Sequence, residues 1–158
     1  MLEDEMVKAL IKRARKLGVT VATAESITGG GVGEAITAIP GSSDIFLGGI
    51  IAYSDASKVS QLGVPKRMLT KYSAVSEEVA RTMAESARAH FKADYAIATT
   101  GVAGPGKAYG QRAGTVWIAI AGKRETTAIQ LALSGDRASV RQAVIESAIA
   151  AFTRILAP

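Results

Sequence analysis

The stretch that decides the fold is residues 21–33, which read Val21-Ala22-Thr23-Ala24-Glu25-Ser26-Ile27-Thr28-Gly29-Gly30-Gly31-Val32-Gly33. In it an apolar strand runs into a carboxylate, two hydroxyl side chains and a run of glycine. Glycine lets the backbone take positive φ and approach a ligand closely, and a helix beginning after it adds partial positive charge. The pattern predicts either a site that binds an anion or attacks an acyl carbon, or an ordinary strand–turn–helix connection.

The cysteine and histidine counts restrict the chemistry. The chain has no cysteine, which excludes disulfides, thiolate zinc sites and a cysteine nucleophile. Its single histidine, His90, makes a multi-histidine metal site impossible and is expected at the protein surface. We therefore expect no metal and no cofactor. Covalent catalysis would need a serine or threonine nucleophile, with a lysine as its base.

Length and charge define the general class of the protein. The 158 residues suit one domain, residues 1–158, and no apolar stretch reaches the roughly 18 residues of a membrane span. The acidic N-terminus does not resemble a signal peptide, so we expect a cytoplasmic protein without a membrane partner. The basic residues behind the net charge of +5 are scattered among few aromatics, which favours small phosphorylated anions over nucleic acid.

Alternating strands and helices define the expected fold. Apolar periodicity predicts helices over residues 3–17, 76–92 and 136–156 and from residue 55, with short helical segments near residues 35 and 65. Strands are predicted over residues 19–24, 46–53, 94–99, 115–121 and 125–133, the last two joined by Gly122-Lys123. This order implies a three-layer α/β/α domain with a mixed, mostly parallel sheet closed by an antiparallel hairpin. Ligands of such sheets bind at the carboxyl ends of the strands, which here carry Glu25-Ser26, Tyr53-Ser54 and Thr99-Thr100-Gly101.

Lys58 is the lysine whose position in the sequence indicates a candidate base. With Ser54 as the N-cap, Lys58 occupies the fourth position of a helix, where positive charge is disfavoured. Its side chain is therefore either solvated or has a functional role. To act as a base at pH 7, a lysine must lower its pKa from about 10.4 to roughly 7–8. Burial, the helix dipole and a nearby Arg137 or Arg141 would each act in that direction. Tyr53 either relays a proton to Lys58 or simply ends its strand.

Two stretches offer places for phosphate. Residues 101–107 nearly match a phosphate-binding loop, but Ala108 stands where the magnesium-binding Ser or Thr is required, so we reject that match. The long loop over residues 101–114 has a length that indicates function or disorder. Residues 134–137 place Arg137 at the start of the last helix, which suits a phosphate; the alternative is an ordinary helix start.

Several motifs are specific enough to indicate a family. They are Thr23-Ala24-Glu25-Ser26-x-Thr28-Gly29-Gly30, Pro40-Gly41-Ser42-Ser43, Gly48-Gly49, Tyr53-Ser54-x-x-x-Lys58, Ala74-Val75-Ser76, Thr100-Gly101-x-Ala103-Gly104-Pro105 and Gly114-Thr115-Val116. In this order they resemble the C-terminal domain of the competence-damage-inducible protein family, CinA, over nearly the whole chain. The resemblance implies a three-layer α/β fold and nicotinamide mononucleotide deamidase activity, which yields nicotinic acid mononucleotide and ammonia. It also implies a stand-alone form, without the larger N-terminal domain of many CinA proteins, and a homo-oligomer.

The resemblance also implies roles for individual residues. Ser26 would be the nucleophile and Lys58 its base, directly or through Tyr53, with backbone N–H groups of residues 28–31 or Gly101 holding the oxyanion. The substrate-binding residues would be Glu25, Thr28, Gly29, Gly30, Thr100, Gly101, Arg137 and Arg141, with Arg137 toward the phosphate. Glu25 would orient either the substrate or the hydroxyl of Ser26.

The chain departs from the family pattern at three places. Ile27 and Asp55 stand where the family commonly has cysteine and asparagine, and the loop after Pro105 has a different sequence. A negative Asp55 close to Lys58 would raise the pKa of the lysine. Two other functions stay open at this point. One is a non-catalytic nucleotide-binding module, which would not need Lys58, and the other is an amidase acting on another small phosphorylated or ribosylated amide.

Overall fold

A five-stranded sheet forms the centre of the computed structural model, which describes residues 2–158. The strands are β1 (Val21–Glu25), β2 (Phe46–Ile51), β3 (Tyr95–Gly101), β4 (Thr115–Ala121) and β5 (Thr126–Ala132). Their order is β2-β1-β3-β4-β5, in which β1 is parallel to β2 and β3, and β4 is antiparallel to β3 and β5. The predicted mixed sheet is confirmed. The β4–β5 hairpin forms one side of it, and the sheet stays open.

Helices cover both faces of the sheet, which confirms the predicted three-layer arrangement. One face carries α1 (Leu2–Leu17), α2 (Gly31–Thr37) and α6 (Arg137–Ile155), and the other carries α3 (Asp55–Leu62), α4 (Lys66–Tyr72) and α5 (Glu77–Phe91). A short 3-10 helix, Ser42–Asp44, leads into β2. Within residues 2–158, every helix is too short or too polar to cross a membrane.

The two faces of the sheet differ in the size of their side chains. On the α1–α2–α6 side the core contains large residues that are fully buried, such as Leu10, Ile36, Ile97 and Phe152. On the other side it is rich in alanine, namely Ala22, Ala24, Ala80, Ala84, Ala87, Ala96, Ala98, Ala119 and Ala121. Because alanine side chains are short, α5 lies close to the sheet and contacts all five strands. Both layers cover β1, whose five residues are all buried.

Several strand boundaries differ from the sequence prediction by one or two residues, β2 for example ending at Ile51 and not at residue 53, and hydrogen bonds explain two of the differences. The sequence predicts that Gly122-Lys123 joins β4 to β5, but the N–H of Gly122 donates to the carbonyl of Glu125 at 2.8 Å, which closes a four-residue turn. The first strand begins at residue 21 and not at residue 19, because Val19 N–H donates to the carbonyl of Ala14 at 3.1 Å. That bond keeps residue 19 on the end of α1.

The parallel part of the sheet brings three segments to one edge. Strands β1, β2 and β3 point in the same direction, and their register pairs Glu25 with both Ile51 and Thr99. The turn after β1, the connection from β2 to α3 and the loop after β3 therefore lie side by side. These are the segments in which the sequence places the candidate site residues.

Candidate active site

Ser26 is the first residue after β1 and lies on a tight turn that leads into α2. Its N–H donates to the carbonyl of Thr99 at 2.9 Å, and its carbonyl accepts from the N–H of Gly29 at 3.1 Å. Gly29 and Gly30 have φ of +57° and +100°, values that glycine adopts without steric cost. The turn therefore fixes the backbone of Ser26, which is 7% exposed.

The amine of Lys58 lies directly against the hydroxyl of Ser26. Lys58 Nζ is 2.9 Å from Ser26 Oγ, 3.0 Å from the carbonyl oxygen of Ala52 and 3.1 Å from that of Tyr53. An uncharged amine has two N–H donors and one lone pair, so it can donate to the two carbonyls and accept the serine hydroxyl proton. An ammonium can donate to all three oxygens. The surroundings of Nζ thus satisfy both protonation states.

Burial shifts the pKa of Lys58. The residue is 1% exposed, so the solvated alternative that the sequence allowed does not apply. Burial lowers the pKa of Lys58 below its ordinary value, because it disfavours the charged form. The negative charge of Asp55, three residues earlier on α3, acts against this and raises the pKa of Lys58. The effect of burial is the larger of the two.

Tyr53 and Arg137 lie together at the mouth of the site. The hydroxyl of Tyr53 accepts a hydrogen bond from Arg137 Nη2 at 2.9 Å, and Arg137 Nη1 donates to the carbonyl of Gly104 at 2.6 Å. The sequence predicted a possible proton relay through Tyr53, but Ser26 and Lys58 touch directly and the Tyr53 hydroxyl is bonded elsewhere. The contact seen in the structure is the direct one between Lys58 Nζ and Ser26 Oγ. Arg137 is exposed where a phosphate group could reach it.

Glu25 faces the helix after the turn and not the site opening. Its carboxylate accepts from the hydroxyl of Thr28 at 2.6 Å and from the N–H groups of Val32 and Gly33 at 2.8 and 3.0 Å. The Thr28 hydroxyl also lies 2.8 Å from that of Thr99. The carboxylate, on a residue only 2% exposed, thus satisfies free donors at the N-terminus of α2. The structure does not place Glu25 or Thr28 in the cavity wall, where the sequence analysis had assigned them to substrate.

Arg141, on α6, forms hydrogen bonds with the backbone of the turn that follows Ser26. Its guanidinium donates to the carbonyls of Ile27 and Thr28 at 3.2 and 3.0 Å, so it binds the backbone and not an open anion site. Within residues 2–158, the N–H groups of Ile27, Thr28 and Gly30 donate to no acceptor. Of these three residues, Ile27 lines the cavity beside Ser26. The sequence analysis had named the N–H groups of residues 28–31, which begin one residue later, or that of Gly101, which lines the same cavity.

A small cavity of about 110 Å³ lies beside the serine and the lysine. Its wall includes Ser26, Tyr53, Lys58, Thr100 and Gly101, which the structure brings together as the sequence analysis expected. A cavity of roughly 150 Å³ holds a benzene molecule. The cavity beside Ser26 is therefore smaller than one that holds a benzene ring, and a larger ligand would extend outward from it.

Sequence reasoning missed one wall of the cavity. Ala103, Ala108 and Tyr109, from the loop after β3, and Ala74 and Val75, before α5, also line it. Gln111 in the same loop donates to the carbonyl of Val75 at 2.8 Å, which ties the loop to this wall. An aromatic residue inside a long glycine-rich loop was the available signal, because such loops carry function more often than regular elements do.

Larger cavities elsewhere on residues 2–158 do not bring a serine and a buried lysine together. A cavity of about 470 Å³ lies against α1 near Lys12, and one of about 370 Å³ lies beside the β4–β5 turn near Lys123. Both are larger than the site at Ser26, but neither has a serine in its wall. In residues 2–158, no group of three His, Cys, Asp or Glu side chains is arranged to hold a metal ion.

Comparison with known proteins identifies the family. A model of the CinA C-terminal domain matches residues 3–156. The chain belongs to the CinA C-terminal domain family. A CinA-like protein of Gemmatimonas aurantiaca is 39% identical over 156 residues, covering 98% of this chain and 36% of that protein. A CinA-like protein of Gloeobacter violaceus is 41% identical over 150 residues, covering 93% of this chain and 35% of that protein. The chain thus spans about a third of the length of these CinA relatives.

Solved CinA structures share the fold along their whole length. The crystal structure of competence damage-inducible protein A from Klebsiella pneumoniae superposes with a TM-score of 0.95 at 32% identity, covering 98% of this chain and 96% of that one. A competence or damage-inducible protein from Enterobacter asburiae gives a TM-score of 0.96 at 33% identity, covering 98% of both chains. The three-layer architecture is therefore that of the CinA superfamily.

Proposed function

We propose that this CinA-family chain is an amidohydrolase that converts nicotinamide mononucleotide to nicotinic acid mononucleotide and ammonia. The observation that carries the proposal is the 2.9 Å contact between Lys58 Nζ and Ser26 Oγ beside a small cavity. A serine hydroxyl is a weak nucleophile until a neighbouring base removes its proton. Lys58 is a buried base in direct contact, and its burial favours the uncharged amine that the reaction needs.

The first half of the reaction transfers the acyl group to the serine. Lys58 Nζ takes the hydroxyl proton while Ser26 Oγ bonds to the carboxamide carbon, giving a tetrahedral oxyanion. The carbon–nitrogen bond then breaks, and Nζ returns the proton to the leaving amino group, which departs as ammonia. The protonated amine that exists between these steps is stabilised by the carbonyls of Ala52 and Tyr53.

The second half returns the enzyme to its starting state. Lys58 takes a proton from water, the water oxygen bonds to the ester carbon, and the bond to Ser26 Oγ breaks as Nζ reprotonates it. The carboxylic acid product then leaves. In both halves the N–H of Ile27 would donate to the oxyanion, an interaction worth about 10²–10³ in rate per donor. Lys58 must be uncharged at the start, whereas an ordinary lysine is uncharged in only about 4 × 10⁻⁴ of molecules at pH 7.

The shape and charge of the site support a small phosphorylated substrate. The cavity of about 110 Å³ accepts the carboxamide end, so the ribose and phosphate of a mononucleotide would lie at the mouth. Arg137 stands there, bonded to Tyr53 and to the carbonyl of Gly104. A guanidinium binds phosphate through paired N–H donors. We therefore assign Arg137 to the phosphate, as the binding partner of this end of the substrate.

Ammonia release tests the proposed function. Purified protein is incubated with nicotinamide mononucleotide, and both ammonia and the acid product are quantified. We expect equal amounts of the two products from the unaltered chain and none from Ser26→Ala, which should still bind the nucleotide. Ser60→Ala, on the exposed surface of α3, serves as the matched control and should retain full activity. Turnover by Ser26→Ala would overturn the assignment of the nucleophile.

Two other functions are separated by the same measurements. A non-catalytic nucleotide-binding module would bind the nucleotide without releasing ammonia, and Lys58→Met would not change its affinity. An amidase of another small phosphorylated or ribosylated amide would release ammonia from a different member of a substrate panel. The buried contact of Lys58 with Ser26 favours catalysis over binding alone, because a binding module has no use for an uncharged amine.

A further inference from the structure

Strand β5 is one edge of the sheet, and only one side of its backbone is bonded to β4. Two bonds show which residues face β4. The N–H of Gly122 donates to the carbonyl of Glu125, and the N–H of Leu133 donates to that of Gly114. Because backbone groups alternate in direction along a strand, the odd-numbered residues of β5 bond to β4. The N–H and C=O groups of its even-numbered residues face outward.

These outward groups are almost all unpaired within residues 2–158. The carbonyl of Thr126 accepts a hydrogen bond from Arg81 on α5, and the other outward groups of β5 have no partner there. A row of unpaired strand N–H and C=O groups is a template for another strand, and proteins usually protect such edges with charges, proline or a bulge. The seven residues of β5 read Thr-Thr-Ala-Ile-Gln-Leu-Ala, without charge or proline. Their register with β4 is continuous, so the strand has no bulge either.

The opposite edge of the sheet, β2, is protected in this way. Leu47 is an extra residue that shifts the register between β2 and β1, and Gly48 and Gly49 follow it. A bulge bends a strand and increases its twist, which hinders pairing with another chain. Glycine also weakens a strand, because it has no side chain to pack. The edge that is open to pairing is therefore β5.

The side chains of β5 add an apolar surface to this edge. Ile129, the middle residue of the strand, is 40% exposed. Together with Ile155 on α6 it lines a groove of about 200 Å³ between the strand and that helix. The one charged residue in the wall of the groove is Arg154. Exposed apolar side chains that lie together beside an open strand edge indicate an interaction surface.

We propose that the chain forms a homodimer in which the β5 strands of two copies pair antiparallel about a two-fold axis at Ile129. Pairing the strand with itself along its whole length puts this middle residue on the axis and joins the two five-stranded sheets into one. Ala128 then lies opposite Gln130 of the second copy, and Thr126 lies opposite its Ala132. These are the outward-facing residues, so their N–H and C=O groups can bond to each other. The two Ile129 side chains meet on one face of the joined sheet.

Charges at the two ends of β5 favour a second copy as the partner. The turn before the strand carries Lys123, Arg124 and Glu125, and the first charged residue after the strand is Asp136. Antiparallel pairing brings the basic end of each strand toward the acidic end of the other. Parallel pairing would instead set the two basic turns side by side. The strands themselves oppose no like charges, because they carry none.

The size of the edge determines the strength of the dimer. Seven residues at about 3.4 Å each make a strand about 24 Å long, and a helix layer adds about 10 Å on either face. The edge thus offers roughly 500 Å² per copy, or roughly 1,000 Å² in total, which is the lower limit for a specific interface. We therefore expect a reversible dimer with a Kd in the micromolar range. The site at Ser26 lies toward β2, so the dimer leaves it open and does not depend on the proposed function.

Sedimentation velocity from low micromolar to submillimolar concentration tests the dimer. We expect the mass of the unaltered chain to rise from 16.3 kDa to twice that value. Ile129→Lys sets two like charges opposite each other on the axis and should weaken association at least about tenfold. Leu47→Lys is the matched control, because Leu47 is 45% exposed on the other edge strand, and it should leave association unchanged. Circular dichroism checks that each variant folds.

Cross-linking tests the position of the axis. The chain has no cysteine, so Ile129→Cys introduces a single thiol. On the axis, the Cα atoms of the two copies would lie about 4.5 Å apart, a separation that a disulfide spans. Treatment with diamide, which oxidises the two thiols to a disulfide, should give a covalent dimer with Ile129→Cys and none with Leu47→Cys.

The outcomes decide for or against this interface. A chain that stays at 16.3 kDa at the highest concentration overturns the proposal. A dimer that Ile129→Lys leaves intact overturns it too, as does one that cross-links through Leu47→Cys and not through Ile129→Cys. If Ile129→Lys does not fold, Gln130→Pro takes its place, because proline there removes an outward N–H and retains the bonds to β4. Undiminished association of Gln130→Pro would then rule the interface out.

Discussion

Replacing Lys58 with methionine removes the amine and keeps a side chain of similar length. In the structure Lys58 Nζ is the basic group bonded to Ser26 Oγ, at 2.9 Å, and both residues are buried. A positioned general base contributes about 10²–10⁴ in rate. We therefore expect kcat for ammonia release to fall by about that factor, with KM changed by less than about threefold.

The same substitution should change how stability depends on pH. Burial lowers the pKa of Lys58 in the folded protein, so between that value and the roughly 10.4 of the unfolded chain the unfolded state binds more protons. The contribution of Lys58 to stability therefore rises with pH across this interval, and it is unfavourable at lower pH. Methionine removes this dependence. It also leaves the carbonyls of Ala52 and Tyr53 without their partner, at about 1–3 kcal/mol each.

The assay combines kinetics with urea unfolding at several pH values. The difference in unfolding free energy between the original chain and Lys58→Met should grow in favour of the original chain as pH rises toward about 10. Parallel pH curves for the two proteins would show that the lysine has an ordinary pKa when folded. An unchanged kcat would show that it is not the base. Either result would refute the reasoning from burial and contact.

Three further predictions test other parts of the site and the fold. Glu25→Gln keeps the size of the side chain but loses an acceptor for the N-terminus of α2, so urea unfolding should show a loss of about 1–3 kcal/mol, while substitution by leucine should cost more. Gly114→Ala should prevent folding as judged by circular dichroism, because its Cβ would lie 1.8 Å from the carbonyl oxygen of Leu133, whereas Gly106→Ala, also at positive φ but with open space around it, should cost only about 1–3 kcal/mol. Arg137→Ala should raise KM for nicotinamide mononucleotide about tenfold and leave turnover of a substrate without phosphate unchanged, in line with a lost charge-assisted pair.

The proximity of the two reacting side chains could be predicted from the sequence. Apolar strands and amphipathic helices gave the layer order, and parallel strands end at the same edge of a sheet. Ser26 follows β1, and Lys58 lies one helical turn after the N-cap Ser54, whose side chain accepts from Ser57 N–H as the sequence indicated. Local patterns were sufficient here because backbone geometry alone decides which loops become neighbours.

The direction of individual side chains could not be predicted in the same way. Glu25 comes directly before Ser26, but the pleat of β1 directs its side chain toward α2, where the N–H groups of Val32 and Gly33 donate to its carboxylate. Tyr53 and Arg141 likewise bond to groups contributed by distant segments, Arg137 and the turn carbonyls of residues 27 and 28. The direction of each of these side chains depends on hydrogen-bond partners that distant segments of the chain contribute, and no local sequence pattern contains that information.

The protonation state of the buried amine is the central claim, and it can be measured directly. The protein is labelled with ¹³C at lysine Cε, and the chemical shift of each lysine is followed as a function of pH, with Lys58→Met assigning the signal of Lys58. We predict that this signal titrates well below the ordinary value of about 10.4, while the exposed lysines titrate near it. A Lys58 signal that titrates with the exposed lysines, or above them, would contradict the mechanism.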